Sequence, residues 1–230
     1  MKTIGLIGGM SWESTVSYYQ EINRLVNSQL GGLHSAKICL YSVDFAEIEA
    51  FQRSGEWDKA ADALKHAAQS LEDAGADFLL ICTNTMHKVA AQVASAVAIP
   101  LLHIADATGV ALCENSVKKV GLLGTQFTME QAFYSERLAQ QFDLDVVVPD
   151  SDDRLAVHKI IYEELCKGVI CEKSRDAYID IINKLKAQGA QAVILGCTEI
   201  ALLVKQSDTD MPLYDTTALH AAEAVKMALE

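Results

Sequence analysis

Short, continuous apolar runs alternate with helix-period stretches along the whole chain. KTIGLIGG (residues 2–9) reads as a strand, and the stretch from Ser14 to about Leu30 as the helix that follows it. AKICLYSV (36–43) predicts a second strand, and WDKAADALKHAAQSLEDAG (57–75) a helix stopped by Gly75. FLLIC (78–82) and IPLLHI (99–104) complete the set as third and fourth strands. Strands that are apolar throughout, rather than on alternate residues, bury both faces. That predicts a parallel sheet covered by helices on both sides, an α/β fold.

The series then restarts. KKVGLLGT (118–125) repeats KTIGLIGG at an offset of 116 residues, QGAQAVILGCTE (188–199) repeats AGADFLLICTNT (74–85) at 114, and MPLYD (211–215) repeats IPLLH (99–103) at 112. Preserved order with a slowly drifting offset predicts a diverged internal duplication; chance similarity among Gly-bounded strands is the alternative. The expected architecture is two similar doubly wound parallel-sheet domains related by pseudo-two-fold symmetry, with a cleft between them. The first takes residues 1–98 plus about 210–230, and the second 99–209, so that the last strand and helix, from about Met211, pack back onto the first half.

The same alignment sets Cys82 on Gly196, Thr83 on Cys197, Asn84 on Thr198 and Thr85 on Glu199. These residues follow the C-terminal ends of strands, where open α/β sheets bind ligands. A thiol there can act as acid or base if its pKa, ordinarily about 8.5, is drawn towards neutrality by its neighbours or a helix N-terminus. Cys197 is the foremost candidate, set against a buried structural cysteine. Thr83, Asn84 and Thr85 offer hydroxyls, an amide and backbone N–H groups for a carboxylate, or else cap a strand end. Glu199 either orients Cys197, contacts substrate or caps a helix.

Other features carry less. GLIGGMS (5–11) lacks the GxGxxG spacing of a dinucleotide fold and reads as a tight turn bringing Met10 and Ser11 to the cleft. The six histidines show no metal spacing; His87, one turn past the TNT segment, either orients the site or fills the core. The acidic stretches EIEAF and PDSDDR read as solvated faces and a loop, and Arg53 and Lys167 as surface cations.

Composition narrows the function classes. The chain has 230 residues, half of them apolar, enough for a substantial core. Its net charge of -12 and pI near 4.9 argue against nucleic acid and against an anionic membrane surface as partners. No apolar run reaches membrane-spanning length, and the N-terminus lacks a cleavage signal, so a cytoplasmic protein is expected. Six cysteines without CxxC or zinc spacing read as free thiols.

GLIGGMSWEST, CTNTMH and LGCTEI together resemble the aspartate/glutamate racemase family over nearly the whole chain, and LHSAKICLYSVDF and LHIADAT are similar to its broad-specificity amino-acid branch. The resemblance implies an active site in the cleft between two α/β domains, an acidic amino acid as substrate, no cofactor (no pyridoxal phosphate) and a homodimer. It also implies two opposed thiols, one taking the α-proton and one returning it on the other face. The second-half motif is intact as Gly196, Cys197, Thr198 and Glu199. The first is not: Thr83 stands directly before Asn84, and the cysteine lies one place earlier, at Cys82. A one-residue shift along a strand turns a side chain to the other face, so Cys82 is expected to be buried and Thr83 to face substrate.

On this resemblance Cys197 is the competent base and Thr83 its weaker partner. Asn84, Thr85 and Thr198 hold the α-carboxylate, and Met10 and Ser11 line the cleft. Gln52 and Arg53 lie where relatives contact the distal carboxylate. Some relatives place an Arg and a Lys on these outer loops, and Cys166 falls where the Lys would be. The alternatives are a cysteine-dependent decarboxylase or isomerase of a small dicarboxylate on the same scaffold, or a non-catalytic amino-acid-binding protein.

Overall fold

The computed structural model describes residues 1–230 and resolves the apolar runs into two four-stranded parallel sheets. The first series is β1 (Ile4–Gly8), α1 (Trp12–Leu30), β2 (Ile38–Ser42), α2 (Phe45–Ser54), α3 (Trp57–Asp73) and β3 (Phe78–Ile81). A 3-10 turn (Thr85–Val89), α4 (Ala90–Ala94), β4 (Leu101–Leu102) and α5 (Ile104–Glu114) follow. The second series is β5 (Lys119–Gly124), α6 (Gln126–Glu130), α7 (Ala132–Phe142), β6 (Asp145–Val147) and α8 (Ser151–Glu163). After a 3-10 turn (Leu165–Lys167) come α9 (Glu172–Ala187), β7 (Ala192–Gly196), α10 (Ile200–Leu203), β8 (Leu213–Asp215) and α11 (Thr216–Leu229).

The strand orders are β2-β1-β3-β4 and β6-β5-β7-β8, one the image of the other. Register carries the duplication to single residues. The pair Ile4–Phe78 recurs as Val120–Ala192, and Leu79–Leu101 as Val193–Leu213, at the offsets read from the sequence. Chance similarity among glycine-bounded strands would not preserve register across two sheets.

Each strand sorts its residues by parity, as a two-residue repeat must. In the first sheet Ile7, Leu79 and Ile81 pack with Ile48 of α2 and with Ala60, Leu64, Ala67 and Leu71 of α3. Ile4, Leu6, Phe78, Leu80 and Cys82 pack on the opposite face with Tyr18, Ile22 and Val26 of α1 and Ala221, Ala224 and Val225 of α11. In the second sheet Leu123, Val193 and Leu195 pack with Val157 and Ile161 of α8 and with Tyr178, Ile182 and Leu185 of α9. The turn after β1 requires glycine: Gly9 sits at φ +92°, and a Cβ there would lie 2.3 Å from the Val43 carbonyl oxygen. This is the close approach of two backbones and accounts for Gly9, whereas a Cβ at Gly8 would meet the Thr15 side chain at 2.5 Å.

The chain separates into two compact units, Met1–Ile104 with His220–Glu230, and Ala105–Leu219. These bounds differ from those expected. β4 pairs with β3 and so keeps residues 99–104 in the first unit, while β8 pairs with β7 and keeps 211–215 in the second. Only the apolar face of α11 from His220 onward joins the first unit, through its packing against β1 and β3. PDSDDR is not a loop: Asp150 accepts from the Asp153 N–H and caps α8, whose first turn holds Asp152 and Asp153. No helix is long and apolar enough to cross a membrane.

Candidate active site

In the first unit β3 runs out at Ile81, and the Cys82 N–H still donates to the Ile7 carbonyl, so strand geometry persists one residue further. Cys82 is therefore fully buried, between α1 and α11, and burial pushes its thiol far above the ordinary range. Thr83, one residue on, takes the opposite parity and is only part-buried. Asn84 and Thr85 are buried at the start of the 3-10 turn. His87 ties this turn down. Its Nε2 accepts from the Ile104 N–H at 3.2 Å, which places the ring proton on Nδ1, where it donates to the Thr83 carbonyl at 2.8 Å. His87 is thus both a core residue and the brace of Thr83.

Met10 and Ser11 are buried and have structural duties. Met10 belongs to the core beneath α3, and Ser11 caps α1 by accepting from the Ser14 N–H at 3.3 Å. Gln52 is buried on α2; its Nε2 donates to Met86 Sδ at 3.0 Å, while its Oε1 is buried without a partner. An orphaned buried amide oxygen is costly and suits a ligand or water donor. Arg53, by contrast, is exposed, with Nε 4.0 Å from Glu49 Oε1, and Lys167 is exposed.

In the second unit β7 ends at Gly196, where a Cβ would come within 2.9 Å of the Leu123 carbonyl oxygen. Cys197 follows with the parity of Val193 and Leu195, which the offset of 114 matches to Thr83, Leu79 and Ile81. Its side chain is part-buried, and Sγ donates to Glu199 Oε2 at 2.9 Å. Thr198 accepts from the Thr217 hydroxyl at 2.9 Å, and Thr217 is itself seated by Asp215, which accepts its N–H. Thr216 donates to the Leu195 carbonyl. The end of β7 is therefore pinned to the start of α11.

The electrostatics reverse one expectation. Burial, then the Glu199 carboxylate and Cys166, push the Cys197 thiol well above its ordinary value rather than towards neutrality. A desolvated thiol beside an anion keeps its proton. Glu199 is buried, and its second oxygen faces Cys166 Sγ at 4.0 Å. Tyr178 is buried among the same groups, and its phenol is likewise raised, first by burial and then by the nearby thiols and carboxylates. What results is a thiol held protonated, its Sγ hydrogen-bonded to the Glu199 carboxylate. No group of three or more His, Cys, Asp or Glu side chains could hold a metal ion. Three buried histidines, 87, 103 and 220, do gather in the first unit, with ring centroids 4.5 and 5.9 Å apart. Both nitrogens of His220 are engaged, by Tyr18 at 2.8 Å and by the Leu102 carbonyl at 3.0 Å.

Residues 7–224 match the family model of the Asp/Glu/Hydantoin racemases. The chain belongs to this family. A crystal structure of a protein described as a candidate Asp/Glu racemase, from Yersinia pestis, is 58% identical, covers all of both chains and superposes with a TM-score of 0.94. That of PH1733, an aspartate racemase homologue from Pyrococcus horikoshii, is 34% identical over all of both chains, with a TM-score of 0.87. The broad specificity amino-acid racemase RacX of Bacillus subtilis is 21% identical over 98% of each chain. The two-sheet architecture is thus the racemase-family fold, and the chain is a racemase-family enzyme of the kind that works without pyridoxal phosphate.

Proposed function

We propose that this racemase-family enzyme interconverts the enantiomers of aspartate or glutamate without a cofactor, with Cys197 and Thr83 serving opposite faces of Cα. The observation that carries the proposal is the Cys197–Glu199 contact at 2.9 Å, a thiol with its own proton acceptor at a strand end. The 58% and 34% identical relatives, described as an Asp/Glu racemase candidate and an aspartate racemase homologue, support the substrate class.

Glu199 takes the Cys197 proton, and the thiolate so formed removes the α-hydrogen. Thr83 delivers a proton to the other face, and the enzyme then exchanges one proton with solvent at each side to return to its starting state. Asn84, Thr85 and Thr198 bind the α-carboxylate. Gln52 is placed toward the distal end of the substrate; its orphaned amide oxygen is an acceptor and takes its partner from water rather than from the distal carboxylate. Met10 and Ser11 take part through their backbone, since their side chains hold the core and cap α1. A homodimer is the proposed assembly.

A hydroxyl is a far weaker acid than a thiol, so the two directions differ. Because the equilibrium constant between mirror images is one, kcat/KM must be equal both ways, and the asymmetry shows as matched differences in kcat and KM. Thr83→Cys should raise kcat in the slower direction. Unchanged kcat in both directions would contradict the role given to Thr83. The single presented thiol also favours a second reading, decarboxylation of a small dicarboxylate. Release of carbon dioxide from an arylmalonate, with no exchange on amino acids, would select it.

A further inference from the structure

Glu199 meets a second thiol. Its Oε2 accepts from Cys197, and its Oε1 faces Cys166 Sγ at 4.0 Å, the long end of a thiol hydrogen bond. Cys166 arrives from a different part of the unit, the 3-10 turn after α8, and that turn is firmly tethered. Leu165 is buried in the second core, and Glu164 accepts from the Ser174 hydroxyl at 2.6 Å. The N–H groups of Lys167 and Val169 both return to the Glu164 carbonyl. The fold, rather than a mobile loop, therefore sets where the Cys166 sulfur lies.

The orientation of a buried carboxylate is set by the donors on both of its oxygens. A donor on Oε1 adds a restraint on the plane in which Oε2 meets Cys197. We propose that Cys166 is a positioning residue, holding the Glu199 carboxylate so that Oε2 stays on the Cys197 thiol. The inference rests on Cys197 as the proton-transferring group. In this role Cys166 acts through Glu199. The titratable groups gathered here are Cys197 at the end of β7, Glu199 after it, Cys166 and Glu164 around the turn after α8, and Tyr178 of α9. With Cys166 removed, the carboxylate swings from Sγ, the thiol loses part of what holds its proton, and Cys197 ionises at lower pH.

The test compares the wild type, Cys166→Ala and Cys166→Ser in the full-length protein. Alkylation of Cys197 by iodoacetamide is followed across pH by peptide mass spectrometry, and Cα hydrogen exchange is measured alongside. In Cys166→Ala the alkylation midpoint should fall by at least about half a pH unit. The kcat/KM for Cα exchange should drop on the order of ten-fold, by the same factor from either enantiomer. Cys166→Ser, whose hydroxyl can donate to Oε1, should restore both. Alkylation profiles that overlay in all three proteins would overturn the proposal, and the Ser variant keeps that comparison available if the Ala variant fails to fold. A shifted midpoint with no Cα exchange in any protein, wild type included, would uphold the role of Cys166 and defeat the racemase reading instead.

Discussion

A thiol held in its protonated form is at first sight a poor base, yet the Cys197–Glu199 pair carries a solution in its geometry. Burial and the neighbouring carboxylate raise the thiol, so at neutral pH the proton rests on Sγ. The same carboxylate lies 2.9 Å away and can receive that proton without solvent. Transfer within the pair changes no net charge, so the thiolate fraction it supplies does not depend on pH while the pair holds a single proton. Exchange in the Cys197-abstracting direction should then be level through the neutral range. Glu199→Gln removes the acceptor, and the thiolate must form by loss of a proton to solvent. Its rate should be lower at pH 7 and rise about ten-fold per pH unit until the thiol ionises. A Glu199→Gln profile that matches the wild type would show that the carboxylate takes no part.

At the scale of elements, most of the architecture was legible because parallel strands in a duplicated fold leave strong marks. Apolar runs bounded by glycine gave β1, β3, β5 and β7, and the repeat offsets reproduced the observed register. Parity along β3 anticipated the burial of Cys82, while Thr83, one residue on, is part-buried. β6 escaped notice because it is three residues long and opens on the exposed Asp145. The placement of β8 was misjudged because hydrogen bonding to β7, a non-local pairing, decides which sheet a strand joins. Within the candidate site, the GCTE motif drew attention to Cys197 and Glu199. The raised thiol and the approach of Cys166 were not visible, because both depend on elements distant in sequence folding over the same carboxylate. Likewise, nothing in their spacing announced the meeting of His87, His103 and His220.

For the whole molecule, the net charge of -12 works against an anionic substrate at long range. Under the proposed function, recognition of a dicarboxylate rests on local donors, for which backbone N–H groups and the hydroxyls of Thr85 and Thr198 are the proposed sources. The proposed homodimer should show a light-scattering mass twice the 25.0 kDa of the chain, and a monomer mass at working concentration would refute it. The central claim is proton exchange at Cα of an acidic amino acid. It is tested most directly by incubating the purified protein, without added cofactor, with L-Asp, D-Asp, L-Glu and D-Glu separately in heavy water. Proton NMR follows loss of the α-hydrogen and chiral chromatography follows the opposite enantiomer. The account predicts exchange with inversion for at least one pair, approaching equal L and D from either side. Intact α-hydrogens in all four amino acids would contradict it.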